Sequence, residues 1–450
     1  LFKLLEPLLG ESGYLGWFRL NLALGTLSIP AACAAGWALT GRRSTGLVAA
    51  VLLAAWPQHL RFVASESAHV HLIFWGLLAM ATVGWAARRA HLPAFLAAVG
   101  TSAALLVSRP EAALWGPTLV LLGLGAGPGI RQILTGGRWA VVPWAVLLVS
   151  LAVMVPQLQV TGGDATPLGP TGTGTEALDL ESLQLVAWAL VVPSELNAFF
   201  DPATSPLWLW PLAVVGALGT FRAHRWQVLS LVVLLAVFLL LYAKMLPAVT
   251  LWALGRYHLA ALPAVVLLGA LGWELAVARL PPLRDRPSMS LGAAAAVALL
   301  GLLLWWKPVA DFPRAWQEEQ EFLVALGSAD EPVLTAETRL VTPDNRRLFG
   351  DLSPREAILG LSNTARLTSE VVTIPHALAT LHRDGPGPRT LYYAGLYCGL
   401  AVGPGESRNP QCHAMEEAFE LTPLARRAVT GPPWLLAYAE APRPSEVVLY

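Results

Sequence analysis

Apolar runs of 16 to 24 residues recur through the first two thirds of the chain, most of them closed by a short loop carrying arginine or proline. About 20 residues of α-helix cross the hydrocarbon layer of a bilayer, so these lengths predict membrane spans. Ten are expected, at residues 16–39, 45–60, 70–87, 92–107, 111–127, 138–157, 206–221, 226–244, 256–279 and 290–306. Pro57, Gln58 and His59 interrupt the second, and only Ser108, Arg109 and Pro110 part the fourth from the fifth. After Trp306 the apolar runs shorten to strand length, at 332–335, 370–374, 389–393 and 434–438, and alternate with helical stretches at 316–326 and 414–419.

The expected fold is a mostly α polytopic membrane protein with a small C-terminal α/β domain. Residues 1–306 form the multi-spanning domain, with an outward loop at 158–205, and residues 307–450 form the extracytoplasmic domain. Composition agrees: 55% of residues are hydrophobic and 13% charged, against roughly a quarter charged in soluble domains, which excludes a soluble globular enzyme. The net charge of zero offers nucleic acid no attraction. It also hides an asymmetry, because 29 charged side chains are spread over residues 1–306 and 31 fill residues 307–450.

The sparse charges of the first part set an orientation. Alternate loops carry Arg42 and Arg43, Arg88 and Arg89, Arg131 and Arg138, Arg222 and Arg225, then Arg279, Arg284 and Arg286, with Asp285 as the acidic companion. By the positive-inside rule these loops are cytoplasmic. The loop at 158–205 has no lysine or arginine but carries Asp164, Glu176, Asp179, Glu181, Glu195 and Asp201. Its first half is rich in Gly, Thr and Pro and its Leu183 to Phe200 stretch is amphipathic, the make-up of a lid over an outward cavity, the alternative being a disordered connector. The chain opens on Leu1 with no signal stretch, and an upstream helix running outward fits the same orientation. Arginine outnumbers lysine 27 to 3, pointing to a GC-rich bacterial source and so to the inner (plasma) membrane, with the C-terminal domain periplasmic or extracellular.

Ionisable groups at apolar helices are expensive unless partnered, so they mark candidate chemistry. Three clusters fall on the outward side. Glu66 and His69 are three apart, on one face if helical, with His71 following; a carboxylate beside an imidazole moves a proton or holds a divalent cation such as Mg2+ or Mn2+, while a helix-capping role explains Glu66 equally well. Ser108-Arg109-Pro110-Glu111 is a tight hairpin; Glu111 suits a helix start, and Arg109 needs an anion or water. Lys244 precedes Arg256, Tyr257 and His258, where a guanidinium at a helix start offers bidentate phosphate recognition; the structural alternative is snorkelling beside an aromatic belt. Cys398 and Cys412 close a Gly- and Pro-rich loop in the outward domain, where a disulfide is expected; Cys33 lies in an apolar helix and packs there.

At these clusters the chain resembles the GT-C-type integral membrane glycosyltransferases, the superfamily of protein mannosyltransferases and lipid A aminoarabinose transferases. The matching pieces are the Gly41-Arg-Arg-Ser-Thr-Gly46 turn, Trp56-Pro57 followed by Arg61 and Glu66, Ser-Arg-Pro-Glu at 108–111, and Gly-Arg-Tyr-His-Leu-Ala-Ala-Leu-Pro at 255–263. The likeness spans nearly the whole chain in layout. It implies transfer of a sugar from a polyprenyl-phosphate-linked donor to a lipid, glycan or protein acceptor on the outer side. In the family an acid of the first outward loop, which here would lie upstream of Leu1, acts as base or metal ligand, and Glu66 matches a second acidic site and is the catalytic candidate present; Arg256, by position, would contact the carrier phosphate. Arg109, Lys244, Tyr257, His258 and His69 complete the expected binding set. Two other readings stay open: a noncatalytic GT-C-like membrane subunit, and a lipid or solute transporter, although paired broken helices in repeated halves are not evident.

Overall fold

The computed structural model describes residues 14–63, 69–108, 110–135, 206, 208–245, 258–284, 286–304, 333–335, 391–394, 420–428 and 446–449. Twelve α-helices lie among these described residues: α1 Tyr14–Thr40, α2 Arg43–Ala54, α3 Pro57–Val63, α4 His69–Arg88, α5 Leu92–Leu106, α6 Gly116–Gly125, α7 Gly129–Thr135, α8 Leu209–Thr220, α9 Arg225–Met245, α10 Leu262–Ala278, α11 Pro281–Arg284 and α12 Pro287–Leu304. Two 3-10 turns, Pro110–Trp115 and His258–Ala260, precede α6 and α10.

Proline sets many of the starts. It is the first residue of α3, α11, α12 and the Pro110–Trp115 turn, and the second of α5, α6 and α10, positions where its missing N–H costs nothing. The same residue divides the expected second span. Pro57 restarts the chain as α3, so α2 stops at Ala54 and Gln58 and His59 belong to a separate short helix. The fifth span likewise opens as a 3-10 turn rather than an α-helix, and Arg131, expected in a loop, rides on α7. The expected span at 138–157 and the loop at 158–205 lie outside the described residues.

The helices pack as a membrane bundle around α4, which is buried along most of its length. α1 and α5 flank it, and α10 packs on α8 and α2. Small residues allow close approach: a Cβ on Gly46 would stand 2.3 Å from the Cys33 carbonyl oxygen, as in other membrane helix pairs held by dispersion. Thr82 and Thr101 share a 2.8 Å hydrogen bond between α4 and α5, and Trp273 Nε1 donates to Ser290 Oγ over 3.2 Å between α10 and α12. The outer helix faces carry exposed Leu22, Leu27, Leu124, Leu218, Leu303 and Leu304, a surface that lipid covers and water would not tolerate. α1, α4 and α12 are each long and apolar enough to cross a membrane, and Ala112–Gly125 with Gly129–Thr135 is a pair of apolar helices bent by 84°, the form of a broken span or a re-entrant loop.

Beyond the bundle, a four-stranded sheet has the order β1-β2-β4-β3, with β1 Val333–Thr335, β2 Leu391–Ala394, β3 Ala425–Ala428 and β4 Glu446–Leu449. β1 pairs parallel with β2, and β4 pairs antiparallel with both β2 and β3. The expected strands at 332–335 and 389–393 are therefore present, whereas those at 370–374 and 434–438 and both expected helices lie outside the described residues. β3 and β4 were not anticipated, because Ala-Arg-Arg-Ala has no apolar alternation; two arginines on an edge strand discourage further pairing.

Candidate functional site

The arginine-bearing turns converge on one end of the bundle. Gly41 takes φ +78° to end α1, a conformation that favours glycine, and its N–H donates to the Trp37 carbonyl over 2.7 Å. Arg88 Nη2 donates to the Leu39 carbonyl, tying the end of α4 to that of α1. Arg42 Nη1 lies 4.0 Å from Glu274 Oε2 on α10, and the Arg43 guanidinium lies 4.9 Å over the Trp37 ring. His224, in the turn between α8 and α9, feels both Arg88 and Arg42. Gly127 and Gly129 lie against the carbonyls of Ala86 and Ala87. Turns assigned to one side by alternation of charge thus share one side in space.

The opposite end gathers the candidate chemistry. His69 opens α4, and it and His71 are buried. The His258–Ala260 turn packs against α4 and α10, so the chain flanking Arg256 meets the helix that His69 opens. The Pro110–Trp115 turn, next to Arg109, packs against α9, whose last turn carries Lys244. Trp115 seats against Gly76 of α4, where an added Cβ would fall 2.2 Å from the indole. Two pairs of expected site segments are thereby brought together around α4. Glu66, Arg109, Arg256, Tyr257, Cys398 and Cys412 lie outside the described residues, and His258 and Lys244 are placed by their backbone.

Residues that the sequence reading passed over also stand at this end. Gln58 and His59, each 1% exposed, bury a side-chain Nε2 and Nδ1 that make no hydrogen bond among the described residues, and so does the Nε1 of Trp115. Val63 seats against Gly25 of α1, which packs α3 on α1. An unsatisfied buried donor costs roughly 1–3 kcal/mol, so these atoms call for partners beyond the described residues. The signal was the interruption of an apolar run by Pro-Gln-His, read only as a break. For the expected divalent cation, the described residues contribute His69 from the Glu66 and His69 pair, and among them no group of three His, Cys, Asp or Glu side chains assembles.

No family model matches the sequence. No curated protein matches it either. Two solved structures do. ArnT from Cupriavidus metallidurans bound to undecaprenyl phosphate is 12% identical, with a TM-score of 0.51 over 96% of this chain and 83% of that one. The apo state of the same ArnT is also 12% identical, with a TM-score of 0.48 over 96% and 82% of the two chains. The likeness to the undecaprenyl-phosphate complex is one of fold: this chain is a polytopic membrane protein whose fold is similar to that of ArnT.

Proposed function

We propose that this protein is a lipid-linked sugar transferase, moving a sugar from a polyprenyl-phosphate carrier to an acceptor on the side of the membrane opposite the arginine turns. The observation that carries the reading is the fold shared along 96% of the chain with a protein bound to undecaprenyl phosphate, together with the meeting of α4 and the turn beside Arg256. In this reaction the acceptor oxygen or nitrogen attacks the anomeric carbon, the bond from that carbon to the phosphate oxygen breaks, and polyprenyl phosphate leaves. A base must take the acceptor proton, and fixed positive charge must meet the charge growing on the phosphate.

Glu66, three residues before α4, is the proposed base. Arg256 is the proposed phosphate ligand, since its planar fork matches two phosphate oxygens, and Arg109 and Lys244 add positive charge around it. Tyr257, His258 and His69 line the donor head group, and the acceptor is a lipid, a glycan or a protein. The proposed location is the bacterial inner membrane with the C-terminal domain outward. The test is a transfer assay with purified full chain and undecaprenyl-phosphate sugars. Release of undecaprenyl phosphate together with glycosylated acceptor supports the reading. Saturable binding of undecaprenyl phosphate with no turnover of any donor points instead to a noncatalytic subunit, and no binding removes the proposal.

A further inference from the structure

The arginine end of the bundle carries its own ligand chemistry, far from the proposed transfer site. Arg88, at the end of α4, reaches the α1–α2 turn beside Arg42, where a Cβ on Gly41 would stand 2.5 Å from its Nη1, and the end of α8 lies against Leu275, next to Glu274, where a Cβ on Gly219 would stand 2.5 Å from that side chain. His224 on the α8–α9 turn feels both Arg88 and Arg42, and Glu274 of α10 is the acid that faces Arg42. Arg42 is 69% exposed, and its 4.0 Å separation from a mostly buried Glu274 is at the limit of an ion pair. Arg88 is held in place through its Nη2 bond to Leu39. Arg42 has Glu274 at the limit of an ion pair and Arg88 has a carbonyl, so among the described residues the cluster carries more positive than negative charge, and an imidazole beside it adds a hydrogen-bond donor.

Exposed apolar side chains lie within a few residues of the charges along the chain. Phe221, three residues before His224, is 49% exposed, and Leu47, on the first turns of α2, is 44% exposed. Cations at the end of membrane helices with exposed apolar groups beside them suit a molecule that has a phosphate head and a hydrocarbon tail. We infer that Arg42, Arg88 and His224 form a binding site for the phosphate of an anionic lipid, with Phe221 and Leu47 against its acyl chains. Nothing in the transfer reaction requires this site, so it stands or falls independently of that reading.

The experiment measures binding of dioctanoyl phosphatidylglycerol to the full chain in neutral detergent, against dioctanoyl phosphatidylcholine and inorganic phosphate. Saturable binding that prefers the anionic lipid is expected, weakened roughly fivefold by Arg42→Ala, the effect of one surface cation. Glu274→Gln should tighten it, because the competing carboxylate is gone, and a misfolded variant would not bind more tightly. Displacement of the lipid by millimolar inorganic phosphate would support the phosphate chemistry while naming a water-borne source. Equal binding of the two lipids, or indifference to both Arg42→Ala and Glu274→Gln, would overturn the inference.

Discussion

Gly216 of α8 and Gly272 of α10 face each other so closely that neither has room for a side chain. A Cβ on Gly216 would lie 2.0 Å from the Leu268 carbonyl oxygen and 2.7 Å from the Gly272 nitrogen; one on Gly272 would lie 1.9 Å from the Leu212 carbonyl oxygen. The obstacles are backbone atoms, which cannot rotate away. Gly272→Ala should cost about 1–3 kcal/mol by forcing the helices apart. Gly100 on α5, where an added Cβ meets nothing within 4 Å, is the control: Gly100→Ala should be neutral or gain up to about 1 kcal/mol from helix propensity. Thermal unfolding in detergent reads both, and equal midpoints for the two variants would refute the contact.

Glu66→Gln keeps the shape of the side chain and removes its basicity. As the base of the proposed transfer, it should lower turnover by ~10² or more with donor affinity little changed. A near-normal rate would reassign Glu66 to capping α4.

For Arg256→Ala the expectation is the loss of undecaprenyl-phosphate binding, with an unchanged elution profile in gel filtration. Arg256→Lys keeps the charge but not the fork and should recover binding only in part. Full activity in Arg256→Ala would remove it from the site.

His224 gives a pH dependence with a definite sign. Burial, then the positive charges of Arg88 and Arg42, hold its imidazole below the ordinary 6.5. The unfolded chain therefore takes up this proton before the folded one does. The contribution of His224 to stability is complete above pH 6.5 and is lost as pH falls from there through the lower folded value. His224→Gln should flatten that part of the stability curve between pH 7 and 5 measured by thermal unfolding. An unchanged slope would show that the ring is not under this influence.

Cys398 and Cys412 are expected to be joined, whereas Cys33 is a free thiol within α1. Alkylation of unfolded protein without reductant should label one cysteine, and three after reduction. The bridge would contribute roughly 3 kcal/mol for a loop of this length; three labelled thiols before reduction would exclude it.

Much of the bundle was legible because a bilayer makes length and charge speak plainly. The observed ends of α4, α5, α9 and α12 fall within a few residues of the apolar runs, and the turns at Arg42, Arg88 and His224 meet as alternation required. What escaped was anything decided by packing rather than by hydropathy. Gln58 and His59 look like a flaw in a span, but Pro57 turns them into a separate helix whose polar atoms face inward. The pairing of Arg42 with Glu274 joins residues more than two hundred positions apart, and no local pattern announces it. The strand β3 was missed because its pairing partner β4, not its own composition, makes it a strand.

The 84° bend between α6 and α7 governs more than the path of those two helices. Seven residues of helix advance about 10 Å, roughly one helix diameter, so α7 carries the chain sideways along the bundle end instead of directly back beside α6. The flank of α6 is thereby open to a helix from much later in the sequence. α9 takes it, with the Trp226 indole filling the space that a side chain at Gly125 would need. A glycine and a sideways step together let residues a hundred positions apart become neighbours, and this places Lys244 at the far end of the same helix that the step admits.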